Sequence, residues 1–216
     1  MNSNNNSQLF IVIAGNIGSG KTTLTKMLSE RLDIKSYFES VEDNPYLGDF
    51  YKDMSRWSFP LQVYFLTHRF KVHKEIQTQS FSAIQDRSIY EDANIFARAL
   101  FEQGDLSERD YENYLTLFYS MVEHLKFPTL TIYLKRSLPK LQERIKLRGR
   151  DYENNIPVDY LARLNNYYED WFENYDGKYL HVDTDELDFV ENEEHFEKLV
   201  GKIFDSIEQQ DLFFRY

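Results

Sequence analysis

The stretch IAGNIGSGKTTLTKM, residues 13–27, decides the fold. It places Gly15, Gly18 and Gly20 within six residues and follows them directly with Lys21 and Thr22. Glycine is unfavourable inside helices and strands, so its use between an apolar run and a helix-like stretch indicates a loop that closely approaches a bound group. The spacing Gly15-x-x-x-x-Gly20-Lys21-Thr22 matches the phosphate-binding loop, and it follows a predicted strand and opens a predicted helix, as that motif requires.

This loop predicts how a nucleotide would be held. Backbone N–H groups converge on phosphate oxygens, and the following helix directs the positive end of its dipole at the same place. We expect the Lys21 ammonium to reach the β- and γ-phosphates and the Thr22 hydroxyl to bind Mg²⁺. The residues expected to bind the donor nucleotide here are Gly15, Asn16, Ile17, Gly18, Ser19, Gly20, Lys21, Thr22 and Thr23.

Composition limits the remaining possibilities. The chain has 216 residues, a net charge of −11 and no cysteine. This length predicts one domain with a sizeable core. The acidic balance argues against nucleic-acid partners, and the lack of cysteine excludes disulfides and fits a reducing compartment. No apolar run reaches the ~18 residues of a spanning helix, so we expect no membrane partner. The polar start, residues 1–8, lacks a signal-peptide pattern, so we expect a disordered leader and a cytoplasmic protein.

Short apolar runs alternate with longer helical patterns along the chain. Helices are predicted over 24–32, 61–76 and 141–150. Strands separated by helices predict an α/β fold with a parallel sheet and helices on both faces. Ligands bind at the carboxyl ends of such strands, where Glu39, Asp86 and Asp183 end three of the runs. The runs predicted as buried strands are LFIVIA (9–14), SYFES (36–40), SAIQD (82–86), TLTIYLK (129–135) and KYLHVD (178–183).

Two strand ends carry groups suited to phosphoryl transfer. Asp86 can help to hold Mg²⁺, and Arg87 can stabilise charge on a transferring phosphoryl group. The alternative for this pair is a helix N-cap aspartate followed by a surface arginine. Glu39 could accept the proton of an attacking hydroxyl, although a carboxylate in this position is more often a loop residue without a catalytic role.

A basic cluster follows the fourth predicted strand. Arg144, Lys146, Arg148 and Arg150 crowd one helix end in an otherwise acidic chain, and Arg144 and Arg148 share a helix face. Such a cluster suits a lid that closes over a triphosphate and excludes water. A solvated basic face near a helix C-terminus, which the helix dipole favours, is the open alternative.

Five motifs together resemble one family. GNIGSGKTT, ESVEDNPYL, FPLQVYFLTHRF, DRSIYEDANIFA and RIKLRGRDYE occur in the order and spacing of the deoxynucleoside kinases, with the greatest likeness to the bacterial deoxyadenosine/deoxyguanosine kinases. The resemblance runs from about residue 9 to residue 190. It implies a three-layer P-loop kinase fold with a five-stranded parallel sheet and a lid. We expect this domain over 9–210, followed by an unusually aromatic tail, DLFFRY, over 211–216. The resemblance also implies transfer of the ATP γ-phosphate to the 5′-hydroxyl of a deoxyribonucleoside by a helix-mediated homodimer.

The resemblance also implies roles for matching positions around the sugar and the phosphates. Glu39 matches the base that takes the 5′-hydroxyl proton, and Arg87 matches its partner at the 5′ oxygen. Tyr51 and Glu153 match the residues that hold the sugar 3′-hydroxyl. The lid arginines match Arg144, Arg148 and Arg150, and the loop after the fifth strand matches the segment that contacts the adenine of ATP.

At the base end, Gln62 matches the residue that pairs with the base edge, Phe96 the aromatic ring that stacks on it, and Arg69 and Asp92 a pair found in purine- and deoxycytidine-accepting members. A glutamine amide presents one donor and one acceptor, which complements adenine and, after a flip, guanine. Gln62 and Arg69 are expected to share a helix face, with Phe65 on another. Taken alone, Phe96 is more often a core residue.

Two other functions are compatible with a phosphate-binding loop. A monophosphate kinase of the thymidylate type shares the loop, an Asp-Arg strand end and a lid, but Glu39 would repel a monophosphate. A nucleotide-dependent switch protein would carry D-x-x-G and N-K-x-D motifs, and neither occurs in this chain. The apolar helical pattern over 111–125 fits a core helix, a dimer seam or both.

Overall fold

In the computed structural model the chain is described over residues 8–38, 44–150, 153 and 156–213, with side chains described up to residue 208. Five strands form one sheet: β1 (Phe10–Gly15), β2 (Lys35–Tyr37), β3 (Ala83–Asp86), β4 (Leu130–Lys135) and β5 (Tyr179–Asp183). All neighbouring strands are parallel, in the order β2-β3-β1-β4-β5. The predicted α/β class and five-stranded parallel sheet are therefore confirmed.

Helices cover both faces of this sheet. They are α1 (Lys21–Leu32), α2 (Leu47–Phe50), α3 (Met54–Thr78), α4 (Ile89–Glu91), a π-helical turn (Asp92–Ala97), α5 (Arg98–Glu102), α6 (Glu108–Val122), α7 (Leu138–Arg148), α8 (Val158–Glu173) and α9 (Glu193–Phe213). The three predicted helices are all present, but α3 begins earlier than predicted. The Asp53 side chain accepts a hydrogen bond from the Arg56 N–H and caps it, and the helix continues through Pro60.

Two large hydrophobic clusters and a small one around Phe10, Val12 and Ile76 form the core of the described residues. On one face of the sheet, Leu24 and Leu28 of α1 pack with Leu199 and Ile203 of α9. On the other face, the cluster joins α3, the π-helical turn, α6 and α8. Parallel strands covered on both faces are buried throughout, as β1 and β3 are.

The prediction that all five strands are buried is wrong for β2 and β5. Residues of β2 are exposed or half-buried, and in β5 only Val182 is buried. The sheet order explains this, because these two strands form its edges and each has a neighbour on one side only. An apolar run in the sequence does not show whether its strand lies at the centre or at an edge.

The sheet brings two motifs together. Ile13 of β1 pairs with Asp86 of β3, and the Arg87 N–H donates to the Ile13 carbonyl at 2.9 Å. The phosphate-binding loop and the Asp86-Arg87 strand end therefore start side by side.

Part of the predicted leader and part of the predicted aromatic tail lie outside the described residues. Residues 1–7 of the predicted leader lie outside the described residues, whereas Gln8 donates to the carbonyls of Ile76 and Phe81 at 2.7 and 3.0 Å. Helix α9 extends to Phe213, into the predicted tail. None of the helices in the described ranges has the length and apolar character needed to cross a membrane.

Candidate active site

The phosphate-binding loop has the conformation that its glycines predict. Gly15 and Gly18 have φ values of 147° and 83°, where larger residues are strained. A Cβ atom would come within 2.7 Å of the Leu134 carbonyl oxygen at Gly15 and within 2.9 Å of the Leu141 carbonyl oxygen at Gly18. The Lys21 ammonium curls back over the loop and donates to the Asn16 carbonyl at 2.8 Å. The side chain of Lys21 is therefore held against the backbone of the loop. Helix α1 begins after Gly20 and has no side-chain cap.

Asn16 anchors the loop to α8. Its Nδ2 donates to the Leu161 carbonyl at 2.9 Å and to Asn165 Oδ1 at 2.6 Å, while its Oδ1 accepts from the Ile17 N–H at 2.7 Å. Asn165 in turn donates to the Arg136 carbonyl at 3.0 Å, just before α7. The Asn16 side chain therefore holds the loop in place, and its contribution to a nucleotide site comes from the backbone.

Asp86 and Thr22 lie in contact beside the loop. The Thr22 hydroxyl donates to Asp86 Oδ2 at 2.5 Å, and Asp86 is buried. Its Oδ1 has no hydrogen-bond partner among the described residues. A hydroxyl and a carboxylate oxygen are ligands that suit Mg²⁺, which is usually held by one or two protein groups together with substrate phosphates. These two residues therefore fit the predicted metal position.

Arg87 is buried and lines the same cleft as Lys21 and Thr22 of the phosphate-binding loop. Its Nη2 donates to the Gly15 carbonyl at 3.2 Å, and its guanidinium carbon lies 4.3 Å from the centre of the Phe96 ring. Arg87 has a φ of 69°, which is uncommon for a residue with a side chain. The alternative of an Asp86 N-cap with a surface arginine is wrong, because Ser88 occupies the N-cap and only 5 % of Arg87 is exposed.

The predicted base-reading residues line the same cleft as the phosphate loop. Gln62 and Arg69 come from α3, and Asp92 and Phe96 come from the π-helical turn. Phe65 lies with them, so its assignment to another face of α3 is wrong: Gln62, Phe65 and Arg69 follow an i, i+3, i+7 pattern. The cleft is lined by Ile17, Lys21, Thr22, Leu47, Phe50, Tyr51, Leu61, Gln62, Phe65, Arg69, Asp86, Arg87, Asp92, Phe96, Arg148, Arg150, Glu153 and Tyr160.

This end of the cleft holds polar groups that are buried and incompletely paired. Arg69 Nη1 and Asp92 Oδ1 form an ion pair whose side chains are 5 % and 1 % exposed. Gln62 Oε1 and Asp92 Oδ2 have no hydrogen-bond partner among the described residues. Buried polar atoms without partners carry a desolvation penalty, so they indicate a place where a polar ligand would bind.

The lid arginines are organised by Glu153. This buried carboxylate accepts from Arg148 Nη2 at 2.5 Å and Nε at 2.9 Å through Oε2, and from Arg150 Nη1 at 3.3 Å through Oε1. Tyr51, its predicted partner at the sugar, lines the same cleft. Arg144 does not line this cleft; it lines a second depression beside Gly18 and Thr23, which Arg148 and Arg150 also line. The basic cluster therefore faces both the cleft and the outer side of the loop.

Two parts of the site escaped the sequence analysis. Arg136 follows β4 and donates to Thr184 Oγ1 at 2.9 Å and to the Thr184 carbonyl at 3.1 Å. Burial lowers the pKa of Arg136 from its ordinary value, and the nearby charge of Arg144 lowers it further. Arg136, Phe189 and Val190 line the second depression with Arg144. The position of Arg136 directly after a predicted strand was the available signal.

Glu91 was given no role and is fully buried behind the loop. Glu39, the predicted general base, lies outside the described residues.

The sequence and the structure of this chain are similar to those of known proteins. The family model described as deoxynucleoside kinase matches residues 11–208. The deoxyadenosine/deoxycytidine kinase of Bacillus subtilis is 40% identical over 196 residues, which cover 89% of this chain and 90% of that protein. The deoxyguanosine kinase of the same organism is 36% identical over 203 residues, covering 92% and 97%. A solved structure of deoxyadenosine kinase from M. mycoides with bound dATP superposes with a TM-score of 0.81 at 32% identity, covering 90% of this chain and 99% of that one.

Proposed function

The chain belongs to the deoxynucleoside kinase family, and from this premise we propose that it transfers the γ-phosphate of ATP to the 5′-hydroxyl of deoxyadenosine in nucleotide salvage. Deoxyguanosine and deoxycytidine are proposed as further acceptors. One observation carries the proposal: a single cleft is lined by Lys21 and Thr22 of the phosphate loop and by the buried polar side chains of Gln62, Arg69 and Asp92. A site that only hydrolysed a nucleotide would not need a second, base-sized polar end.

The nucleobase of the acceptor nucleoside forms hydrogen bonds with Gln62 and with the Arg69–Asp92 pair. The amide of Gln62 matches the N6 amino group and N1 of adenine, and Asp92 Oδ2 offers a further acceptor. Phe96 and Phe65 contribute aromatic surface for the ring. An unpaired buried amide costs about 1–3 kcal/mol, which allows about 5- to 150-fold preference among bases but no absolute exclusion. This supports a kinase with a preferred base and a wider acceptor range.

In the transfer step the 5′ oxygen forms a bond to the γ-phosphorus, and the bond from that phosphorus to the β,γ-bridging oxygen breaks, releasing ADP. Glu39 takes the proton of the 5′-hydroxyl. Arg87 and Lys21 stabilise charge on the transferring group, and both line the cleft. Mg²⁺, when bound, neutralises charge on the β- and γ-phosphates, and Thr22 and Asp86 are the residues that would hold it.

The residues that contact the sugar and the residues of the lid form the rest of the proposed site. Tyr51 and Glu153 hold the 3′-hydroxyl of the deoxyribose. Arg148 and Arg150 approach the phosphates from the lid, and Glu153 orients both of them. Arg144 lies beside Gly18 and Thr23 on the donor side. Closure of this basic segment over the triphosphate would exclude water from the transfer.

We further propose that the chain forms a homodimer through α6 and α8. Helix α6 buries only Tyr114 and Phe118 and exposes Tyr119 by 62% and Leu117 by 36%. A groove between the two helices is lined by Leu115, Phe127, Trp171 and other large apolar side chains. Apolar surface on neighbouring helices suits a self-complementary interface around a twofold axis. Light scattering should give twice the chain mass of 26.0 kDa.

The activity test uses the full chain with ATP, Mg²⁺ and a panel of nucleosides, with 5′-monophosphates identified by chromatography and mass spectrometry. We expect dAMP as the main product, with dGMP and dCMP formed at lower kcat/KM. Thymidine monophosphate serves as the control acceptor. Phosphorylation of that monophosphate without any nucleoside product would refute the proposal and favour the thymidylate type. ATP hydrolysis that no nucleoside accelerates would also refute it.

A further inference from the structure

Glu91 is a buried carboxylate immediately behind the active-site cleft. Its side chain is 0% exposed, and it does not line the cleft. Oε2 accepts from the Ser88 N–H at 2.8 Å and from the Ser88 hydroxyl at 3.4 Å, which forms a capping box at the start of α4. A capping box needs only this oxygen, and an exposed glutamate would serve it equally well. The other oxygen is therefore the informative one.

Oε1 of Glu91 joins the two halves of the proposed site. It accepts from the Gly15 N–H, at the start of the phosphate loop, at 3.3 Å. It lies 3.8 Å from Nε of Arg87, whose Nη2 donates to the Gly15 carbonyl at 3.2 Å. The carboxylate and the guanidinium thus hold the same glycine by its N–H and its carbonyl. This places the loop that would carry the donor and the arginine that would meet the acceptor in one closed arrangement.

Tyr168 of α8 completes the surroundings of this carboxylate. Its hydroxyl donates to Oε1 at 2.7 Å. Burial raises the pKa of Tyr168 well above its ordinary value, and the charge of Glu91 adds to the increase, so the phenol keeps its proton and remains a donor. The polar groups within hydrogen-bond distance of Glu91 are all donors, and the side chain of Arg87 is the cation that it faces. A neutral amide at position 91 could not reproduce this set, because its NH₂ group would meet another donor.

We propose that Glu91 is a positioning residue for phosphoryl transfer, acting through Arg87 and Gly15 to hold the acceptor-side guanidinium in register with the phosphate loop. This inference rests on the proposed function. Transfer between two bound substrates depends on their alignment, and misplacement by about 1 Å can lower the rate about 100-fold without loss of binding. The carboxylate itself touches neither substrate.

The test compares Glu91→Gln with Tyr168→Phe, which removes one hydrogen bond from the same oxygen but leaves the charge that faces Arg87. We expect Glu91→Gln to lower kcat for deoxyadenosine by about 30- to 100-fold, with the Kd of the nucleoside, measured by calorimetry, within about threefold of the wild type. Tyr168→Phe should lower the melting temperature by about 2–4 °C, as loss of one buried hydrogen bond would, and keep kcat within about threefold. Assays are run well below both melting temperatures.

A double-mutant cycle with Arg87→Lys tests the route. If Glu91 acts through Arg87, Glu91→Gln should lower kcat by less than about threefold in the Arg87→Lys background. Equal losses in both backgrounds would overturn the proposal, as would a kcat that follows melting temperature alone across the variants. Should Glu91→Gln not fold, Glu91→Asp, which draws the charge back by one methylene, takes its place in the same cycle. A wild-type chain that phosphorylates no nucleoside would instead refute the proposed function.

Discussion

Gln62→Leu should weaken the enzyme without weakening the fold. Only 3% of Gln62 is exposed, and its Oε1 has no hydrogen-bond partner among the described residues. A buried acceptor without a partner destabilises the unliganded protein by about 1–3 kcal/mol. Leucine has a similar volume and no polar atom, so the free energy of unfolding should stay constant or rise by up to about 2 kcal/mol.

The same amide should stabilise the bound base. Without it, the edge of adenine enters the cleft with its own polar groups unpaired. We expect a loss of about 1–3 kcal/mol of transition-state stabilisation, which corresponds to a kcat/KM for deoxyadenosine lowered about 5- to 150-fold. Urea unfolding measures the stability of each variant, and steady-state kinetics with deoxyadenosine and deoxycytidine measures the effect on each base.

Gln85→Leu is the matched control. Gln85 is also 3% exposed with an Oε1 that lacks a partner in the described part of the chain, but it does not line the cleft. It should show the same gain or constancy in stability and an unchanged kcat/KM. The reasoning is refuted if Gln62→Leu lowers the free energy of unfolding by more than about 1 kcal/mol while kcat/KM stays within twofold of the wild type. Gln62 would then be a structural residue.

Four further predictions concern other parts of the molecule. Glu39→Gln should leave the nucleoside Kd unchanged and lower kcat at least about 100-fold, because the general base is lost; near-full kcat would remove Glu39 from that role. Asp92→Ala should lower the free energy of unfolding by about 3–5 kcal/mol, since the Arg69 guanidinium loses its buried counter-charge, and should affect purine nucleosides most; equal loss for all bases would make the pair structural. Burial lowers the pKa of His73 from 6.5 to about 4. Between these two pH values His73 is therefore protonated in the unfolded chain and neutral in the folded chain. Stability should therefore fall by about 3 kcal/mol from pH 6.5 to pH 4, and urea unfolding of His73→Gln should show a shallower slope. Tyr119→Asp should shift the particle mass in light scattering to that of a single chain; an unchanged mass would place the interface elsewhere.

The conformation of the phosphate-binding loop can be predicted from the sequence because its determinants are local. The phosphate loop needs glycines at two crowded positions, Gly15 and Gly18, and a lysine three residues after the second, so all of these lie within a few residues. The Asp86-Arg87 strand end follows the same logic. Its meeting with the loop follows from the central places of β1 and β3 in a parallel sheet.

The parts that sequence reasoning missed depend on long-range packing. Glu91 and Asn165 act through contacts with residues 76 and 149 positions away, Gly15 and Asn16, and no local pattern marks such pairs. The prediction that Phe65 lies on another face of α3 is wrong, because a spacing of three residues from Gln62 places it on the same face. The exposure of β2 and β5 depends on strand order, which follows from the packing of the whole sheet.

The two recognition tasks proposed for the cleft fall on different elements of the fold. The side chains proposed to read the base come from α3 and the π-helical turn, whereas the triphosphate is proposed to rest on the β1–α1 loop and the arginines of α7. Substitutions on α3 and the π-helical turn should therefore change the preferred base, while the residues proposed to bind the triphosphate stay the same. Arg87 is the exception, because it contacts both the glycine loop and the ring of Phe96. A substitution at this position should therefore disturb both tasks at once.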